Sequence, residues 1–309
     1  MKLLITGANG QIGWELSRRL APLGDVIALD RNQLDLARPD RIGGVVRGIA
    51  PAVILNAAAY TAVDKAEDEE VLALTVNGAA VSVLAEEARR GRALFVHYST
   101  DYIFDGTKQA PYVEEDLPRP INSYGRSKLA GEAAIQQVGG AYLILRTSWV
   151  HAARRHNFLR TVLRLARDRA ELQIVADQFG SPTRAGNVAE ATGRILRQAL
   201  AERSDNSFAS GIFHLTDSGS TTWHGFARAI LNEAARVSLL QHLPSLCAIS
   251  SDDYPTRAAR PRNSRLAGDR LRKRFGIAPP DWKEGVARCV GEIKKQERDE
   301  STAAWRPAR

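Results

Sequence analysis

At 309 residues and 33.8 kDa the chain is long enough for one large domain, or two intimately joined ones, around a sizeable core. Its 44% hydrophobic and 25% charged residues exclude a disordered or low-complexity chain. The net charge of +8 would suit nucleic acid, but the basic residues are spread out and no nucleic-acid motif occurs, so a basic pocket for an anionic metabolite is expected instead.

The chain runs at once into Leu3-Leu4-Ile5-Thr6-Gly7, with no charged leader or cleavage site, and no stretch approaches ~18 apolar residues. Cys247 and Cys289 lie far apart, which leaves no disulfide framework or paired-cysteine metal site. A cytoplasmic protein, neither exported nor membrane-spanning, is expected. Residues 2–6, 26–30, 53–57, 94–98 and 142–146 are short apolar runs separated by helical patterns. Such strands, apolar on both faces, indicate a parallel sheet covered on two sides, a doubly wound α/β unit.

The first strand leads into Gly7-Ala8-Asn9-Gly10-Gln11-Ile12-Gly13, which opens a helix. Glycines at 7 and 10 let the backbone turn and approach a pyrophosphate, and Gly13 lets helix and strand pack closely at the helix N-terminus. The second strand ends at Asp30, about 20 residues after the loop, where a carboxylate would take the adenosine ribose hydroxyls of NAD. Arg31 follows and could pair with a 2′-phosphate, so the choice between NAD and NADP stays open. Asp35 and Leu36 read as an edge and lid for the adenine. The third strand runs into Asn56-Ala57-Ala58-Ala59-Tyr60-Thr61, whose small residues suit close passage of a cofactor or tight helix packing.

Residues 67–90 form a long helical pattern, with Glu67, Asp68, Glu69 and Glu70 expected in the first turn and Arg89 and Arg90 at the end, matching the helix dipole. The fourth strand ends in Tyr98-Ser99-Thr100-Asp101-Tyr102, where Thr100 can hydrogen-bond a substrate oxygen. Tyr124 and Lys128 then stand one helical turn apart, so the ammonium can lie beside the phenol and favour its ionised form. Lowering a phenol from ~10 to about 7 takes roughly 4 kcal/mol, which one charge ~4 Å away supplies at an effective dielectric of about 20. Chance yields such a pair in about one chain in five of this composition, so it gains meaning only from the other motifs.

After residue 149 the alternation degrades into irregular stretches around 177–183 and 258–265, which suit a smaller substrate domain. Residues 185–200 and 211–215 form a helix and strand that return to the main sheet. The expected division is 1–148 with 185–216 for the dinucleotide, and 149–184 with 217–309 for the substrate. The polar tail from residue 294 is expected to fray. No His-x-x-x-His spacing with a helical Glu occurs, and Ser99 lacks the Gly-x-Ser-x-Gly elbow, which argues against a metal hydrolase or serine hydrolase.

Beyond the glycine loop and the Tyr-Lys pair, the stretches 56–67, 99–106, Arg146-Thr147-Ser148-Trp149-Val150, 176–183, Thr221-Thr222-Trp223 and 260–266 resemble, in order and spacing, the extended short-chain dehydrogenase/reductase family over nearly the whole chain. The resemblance implies a Rossmann-type doubly wound parallel sheet with a smaller α/β C-terminal substrate-binding domain. It also implies reduction of the 4-keto group of dTDP-4-dehydro-β-L-rhamnose to dTDP-L-rhamnose by hydride from NADPH or NADH. In that reading Tyr124 donates the proton, Thr100 orients the oxygen, and Lys128 holds the nicotinamide ribose and lowers the Tyr124 pKa. The cofactor would lie along Gly7, Asn9, Gly10, Gln11, Ile12, Gly13, Asp30, Arg31, Asp35, Leu36, Ala57, Ala58, Ala59, Tyr60 and Tyr98. Asp101 and Trp149 match positions near the sugar, and Arg260, with the other arginines of 260–265, would clamp the diphosphate or form solvated surface.

Departures from the family pattern are His151, where many relatives carry Tyr, and Gly186, where a third glutamate would join Glu15 and Glu292 around an inter-subunit Mg²⁺ of a homodimer. Without that carboxylate a hard-cation site is weakened, and salt-bridging of both glutamates is expected. A dehydratase or epimerase of the same fold is the competing enzyme, but the dehydratase pattern needs Glu after Asp101, where Tyr102 stands. A regulatory nucleotide-binding subunit is the competing non-enzyme, and retention of Tyr124, Lys128 and Thr100 counts against it.

Overall fold

The computed structural model describes residues 1–304. The first half alternates β1 (Lys2–Thr6), α1 (Gln11–Arg19), β2 (Asp25–Leu29), α2 (Pro39–Ile49), β3 (Val53–Asn56), α3 (Glu70–Leu74), α4 (Ala80–Arg90), β4 (Leu94–Thr100), α5 (Ser123–Val138) and β5 (Tyr142–Thr147). β1, β3, β4 and β5 are buried on both faces, with β2 at the half-exposed edge, and successive residues feed two different cores. Leu3, Ile5, Val53, Leu55, Leu94 and Val96 face one side. Leu4, Ile54, Phe95 and Ile144 face the other, against α2 and α4. Period-two alternation between two apolar layers is what makes a sheet covered by helices on both sides. The register sets Thr6 beside Asn56 and Asn56 beside His97 at the carboxyl ends of β1, β3 and β4.

The helical pattern of 67–90 is interrupted. Lys65–Glu67 is a short 3-10 turn, the α-helix starts only at Glu70, and Thr75–Ala79 is a π-turn between α3 and α4. Glu67 therefore does not sit in that helix's first turn; its carboxylate accepts from Ser123 N at 2.8 Å and Ser123 Oγ at 3.1 Å, at the head of α5. Contrary to the expectation from sequence, Glu70–Arg90 is long and apolar enough to cross a membrane by length and composition. Half of its apolar window is buried within the fold, where Ala80, Val81 and Leu84 pack on the sheet, so it serves as a core helix.

The second half contributes β6 (Val150–His151), α6 (Phe158–Asp168), β7 (Glu171–Val175), β8 (Phe179–Gly180), β9 (Thr183–Arg184), α7 (Ala185–Ser204), β10 (Gly211–His214), β11 (Thr221–Thr222), α8 (Trp223–Arg236), β12 (Ser245–Ile249), α9 (Asp269–Phe275) and α10 (Trp282–Ala304). α7 covers the face of α1, and β10 extends the sheet beside β5, giving the order β10-β5-β4-β3-β1-β2, all parallel. A separate apolar cluster joins α6, α8 and α10 through Leu159, Val162, Phe226, Ile230, Trp282 and Val286. This half holds more regular helix than its sequence suggested. α6 alternates apolar Phe158, Leu159, Val162 and Leu163 with Arg160, Arg164 and Arg167, an amphipathic pattern dense in arginine. The tail expected to fray from residue 294 continues as α10 to Ala304, anchored by buried Cys289, Val290 and Ile293, and residues 305–309 lie outside the described residues.

Candidate active site

The glycine loop lies where β1 meets β3. Gly7 has φ +70°, and a Cβ on it would stand 2.8 Å from Ala58 Cα. A Cβ on Gly13 would stand 2.1 Å from Gly7 O, so only glycine lets α1 pack this close to the loop. Asn9 Nδ2 donates to Asp30 Oδ2 at 2.9 Å, and Asp30 Oδ1 accepts from Asn32 N at 2.9 Å, which fixes the carboxylate beside the loop. Gln11 Nε2 donates to Val150 O at 3.4 Å and its Oε1 accepts from Asn157 at 3.0 Å, tying the loop to the second half; Ile12 packs on the core. Arg31 is exposed and lies 3.4 Å from Asp35. Leu36 is 4% exposed and belongs to the α2 core, so its side chain is no open lid for an adenine. Ala57, Ala58, Ala59 and Tyr60 follow β3, and Asn77 of the π-turn clasps Tyr60 by accepting from its N at 2.9 Å and donating to its O at 3.0 Å. The same amide donates to Ser127 Oγ at 2.9 Å, one residue before Lys128.

Tyr124, Thr100 and Asp101 converge at the carboxyl end of β4. Asn122 caps α5 by accepting from Gly125 N at 2.8 Å, and a Cβ on Gly125 would stand 2.2 Å from Tyr102 O, so the Tyr124 turn is pressed onto the residues after β4. Thr100 Oγ1 donates to Asp101 Oδ1 at 2.9 Å, and Ser148 Oγ donates to Asp101 Oδ2 at 2.8 Å. Burial raises the Asp101 carboxyl to about 6 against the pull of these hydroxyls. The Tyr124 phenol is pushed up to about 12 by burial, with Thr100 hydrogen bonding opposing it and the Asp101 charge adding to it.

Lys128 is held by β4. Its Nζ donates to Tyr98 O at 2.7 Å and lies 3.2 Å from His97 Nε2, and burial brings its pKa down to about 8 while Glu132 works to raise it. The lowering of the Tyr124 pKa expected from Lys128 is not seen: burial raises the phenol, and Lys128 Nζ is engaged by Tyr98 O and His97. Tyr98 reaches the site through its backbone. Its ring is in the core with its hydroxyl 2.9 Å from Thr192 Oγ1, and only its carbonyl reaches the site. Glu132 accepts from Arg146 through both oxygens, at 2.7 to 3.2 Å, and neither side chain of the pair is more than 3% exposed.

On the second half, Trp149 has φ +44° and stacks on Trp223 at 3.5 Å and 6°, over Gly180, where a Cβ would stand 2.3 Å from the indole. Trp223 Nε1 is pinned by Gln178 Oε1 at 3.2 Å. Arg260 donates to Asp64 Oδ2 at 2.7 Å and lies 5.9 Å over the Tyr102 ring, itself edge-on to Tyr124. Arg265 is held by Asn263 at 2.8 Å. His151 is buried, with its ring edge-on to Phe226.

Residues missed at the sequence level are Asn56, Asn77, His97 and Ser148, together with Arg154 and Arg155, which line a cavity of about 530 Å³ with Asn9, Gly10, Gln11 and Trp14. Two carried a signal: Asn56 ends an apolar strand, and Asn77-Gly78 interrupts a helix pattern. The residues that would hold Mg²⁺ do not fit it. Glu15 lies 3.1 Å from Arg19, Glu292 pairs with Arg184, and a Cβ on Gly186 would stand 2.3 Å from Arg184 Nη1, so guanidinium groups fill the carboxylates' coordination.

Residues 1–295 match the model of the family described as RmlD substrate binding domain. The chain belongs to that family. It is similar to the dTDP-4-dehydrorhamnose reductase of Burkholderia thailandensis, 50% identical over 302 residues that cover 96% of this chain and 100% of that one. The protein of the same name from Escherichia coli K12 is 43% identical over 297 residues, covering 95% and 98%. Among solved structures, dTDP-4-dehydrorhamnose reductase from Bacillus anthracis in complex with NADP is 34% identical, with a TM-score of 0.86 over 94% of this chain and 99% of that one. The doubly wound parallel sheet implied by the family resemblance is the fold observed.

Proposed function

We propose that this chain reduces the 4-keto group of dTDP-4-dehydro-β-L-rhamnose to dTDP-L-rhamnose with NADPH, NADH being the alternative donor. The observation that carries the substrate is the 50% identity with the Burkholderia reductase over the whole of that protein. The glycine loop suits a dinucleotide, because Gly7, Gly10 and Gly13 bring bare backbone to the head of α1. A bound nicotinamide supplies the hydride.

Tyr124 then gives its proton to the sugar oxygen. A phenol near 12 stays protonated at neutral pH, as a proton donor must. The alkoxide left by hydride addition is a far stronger base, comparable with hydroxide, whose parent water titrates near ~15.7. A raised Tyr124 pKa thus suits reduction, whereas a reaction that begins by oxidising the sugar needs the phenolate. Thr100 spends its one hydroxyl proton on Asp101, so it meets the Tyr124 hydroxyl as an acceptor, and the sugar's keto oxygen, itself only an acceptor, takes its hydrogen bond from Tyr124. Lys128 holds the nicotinamide ribose, Trp149 with Asp101 lines the sugar, and Arg260 faces the diphosphate. The dinucleotide lies on the sheet lobe and the sugar against the lobe of α6, α8 and α10. The enzyme acts in the cytoplasm, and pairing of two copies needs no bridging metal ion, since Arg19 and Arg184 neutralise Glu15 and Glu292.

The test follows nicotinamide oxidation with enzymatically made dTDP-4-dehydro-β-L-rhamnose and each cofactor in turn. Turnover with formation of dTDP-L-rhamnose is expected. Conversion of dTDP-glucose to a 4-keto-6-deoxy sugar, or cofactor binding without turnover, would sink the proposal.

A further inference from the structure

Thr6, Asn56 and His97 lie side by side in register across three strands, and all three are buried. Polar side chains in the middle of a sheet are costly unless each is hydrogen-bonded. Here they form one line: Thr6 Oγ1 is 2.6 Å from Asn56 Oδ1, Asn56 Nδ2 is 3.0 Å from His97 Nδ1, and His97 Nε2 is 3.2 Å from Lys128 Nζ. The line starts at the residue before the glycine loop and ends on the buried Nζ of Lys128.

His97 is neutral, because burial first and the Lys128 charge second hold its pKa well below 6.5. A neutral imidazole has one N–H and one bare nitrogen. If Lys128 is an ammonium, Nε2 must be bare, the proton sits on Nδ1, and Asn56 must turn its oxygen to His97 and its NH₂ to Thr6. If Lys128 is a neutral amine, Nε2–H donates to Nζ, Nδ1 accepts from Asn56 Nδ2, and Thr6 donates to Asn56 Oδ1, which is the amide setting of this structure.

We propose that Thr6, Asn56 and His97 are positioning residues acting as one unit, with two hydrogen-bond settings coupled to the charge on Lys128, the His97 tautomer selecting the charged, cofactor-binding form. Passing from the charged to the neutral setting releases one proton from Lys128 to solvent. His97 keeps its single proton, moved from Nδ1 to Nε2, and the Asn56 amide turns over. The groups against Lys128 are His97 and the Tyr98 carbonyl of β4 and Glu132 on its own helix; Glu132 is paired with Arg146 of β5, which has His214 of β10 at 3.5 Å. Burial brings Lys128 to about 8, within reach of the working pH.

The inference rests on the nicotinamide-cofactor reading of Lys128. Its test is ¹⁵N NMR of the full chain labelled in its histidine rings, from about pH 6 to about pH 10, with the NADPH Kd measured in parallel. His97 is expected as Nδ1–H at the acid end and Nε2–H at the basic end, with the midpoint where NADPH affinity falls. A single tautomer throughout would overturn the coupling. In His97→Leu the affinity midpoint is expected about one pH unit lower, a tenfold change in the ionisation constant, and His97→Gln, with an amide oxygen near the place of Nε2, restores it. An unmoved midpoint in folded His97→Leu overturns it as well, and should that variant not fold, the tautomer of the unmodified protein decides. The tautomer is read without substrate or cofactor, so the coupling can fail while 4-keto reduction stands, and the reverse.

Discussion

Two neighbouring parts of the site carry charge in opposite ways. Around Lys128 the charges are few and buried: Glu132 and Arg146 are wrapped by α5 and β5, and Asp101 is enclosed by hydroxyls. In the 257–265 loop the arginines are plentiful and none is buried, with Arg257 and Arg262 more than 60% exposed. A buried charge is weakly screened and perturbs its neighbours strongly, whereas an exposed pair is screened and contributes little. The first region can tune proton transfer; the second can attract and orient an anion.

Substitutions can break that contrast. The largest expected effect is Tyr124→Phe, which should lower kcat by about 10²–10⁴ with NADPH affinity retained, because only the proton is removed; an unchanged kcat would remove Tyr124 from the chemistry. Next comes Glu132→Gln, which leaves Arg146 buried beside a neutral amide and should cost about 3–5 kcal/mol in urea unfolding. A loss below about 1 kcal/mol would mean the pair is not the buried anchor drawn above. Arg260→Ala should raise KM for the nucleotide sugar roughly tenfold, about 1.4 kcal/mol, with kcat little changed. A fall in kcat at constant KM would place Arg260 with the proton-transfer group instead.

Asp101 gives a pH signature. Its carboxyl is about 6 folded and 3.8 unfolded, so between those values the folded state holds the extra proton. Stability from this group is therefore present below about 4 and lost as pH rises through about 6. Relative to wild type, Asp101→Asn should flatten the Tm profile between those pH values, and an identical slope would show that the carboxyl is not shifted. Smallest is Arg257→Ala, which breaks an exposed pair with Asp68 and should change stability by less than about 1 kcal/mol. A cost as large as that of Glu132→Gln would erase the contrast.

Local signals in the sequence were strong where backbone geometry is local. Glycines at 7, 10 and 13 follow a strand, and strands apolar on both faces announce a covered parallel sheet. The Tyr124-to-Lys128 spacing follows from one helical turn, and the 67–90 pattern from apolar periodicity. The π-turn within that pattern, and the arginine-masked amphipathic face of α6, were less legible because their reason lies in what they pack against.

What the sequence determined by itself was thus the sheet, the glycine turn at the head of α1 and the one-turn spacing of Tyr124 and Lys128, since each depends on short-range periodicity or a turn that only glycine permits. Tertiary structure alone decided the direction in which Lys128 points, the burial that raises Tyr124, and the line from Thr6 through Asn56 to His97. Successive members of that line are 50 and 41 positions apart and meet only because β1, β3 and β4 lie in register. Protonation states follow from such long-range neighbours, through burial and hydrogen bonding, and spacing along the chain does not contain them.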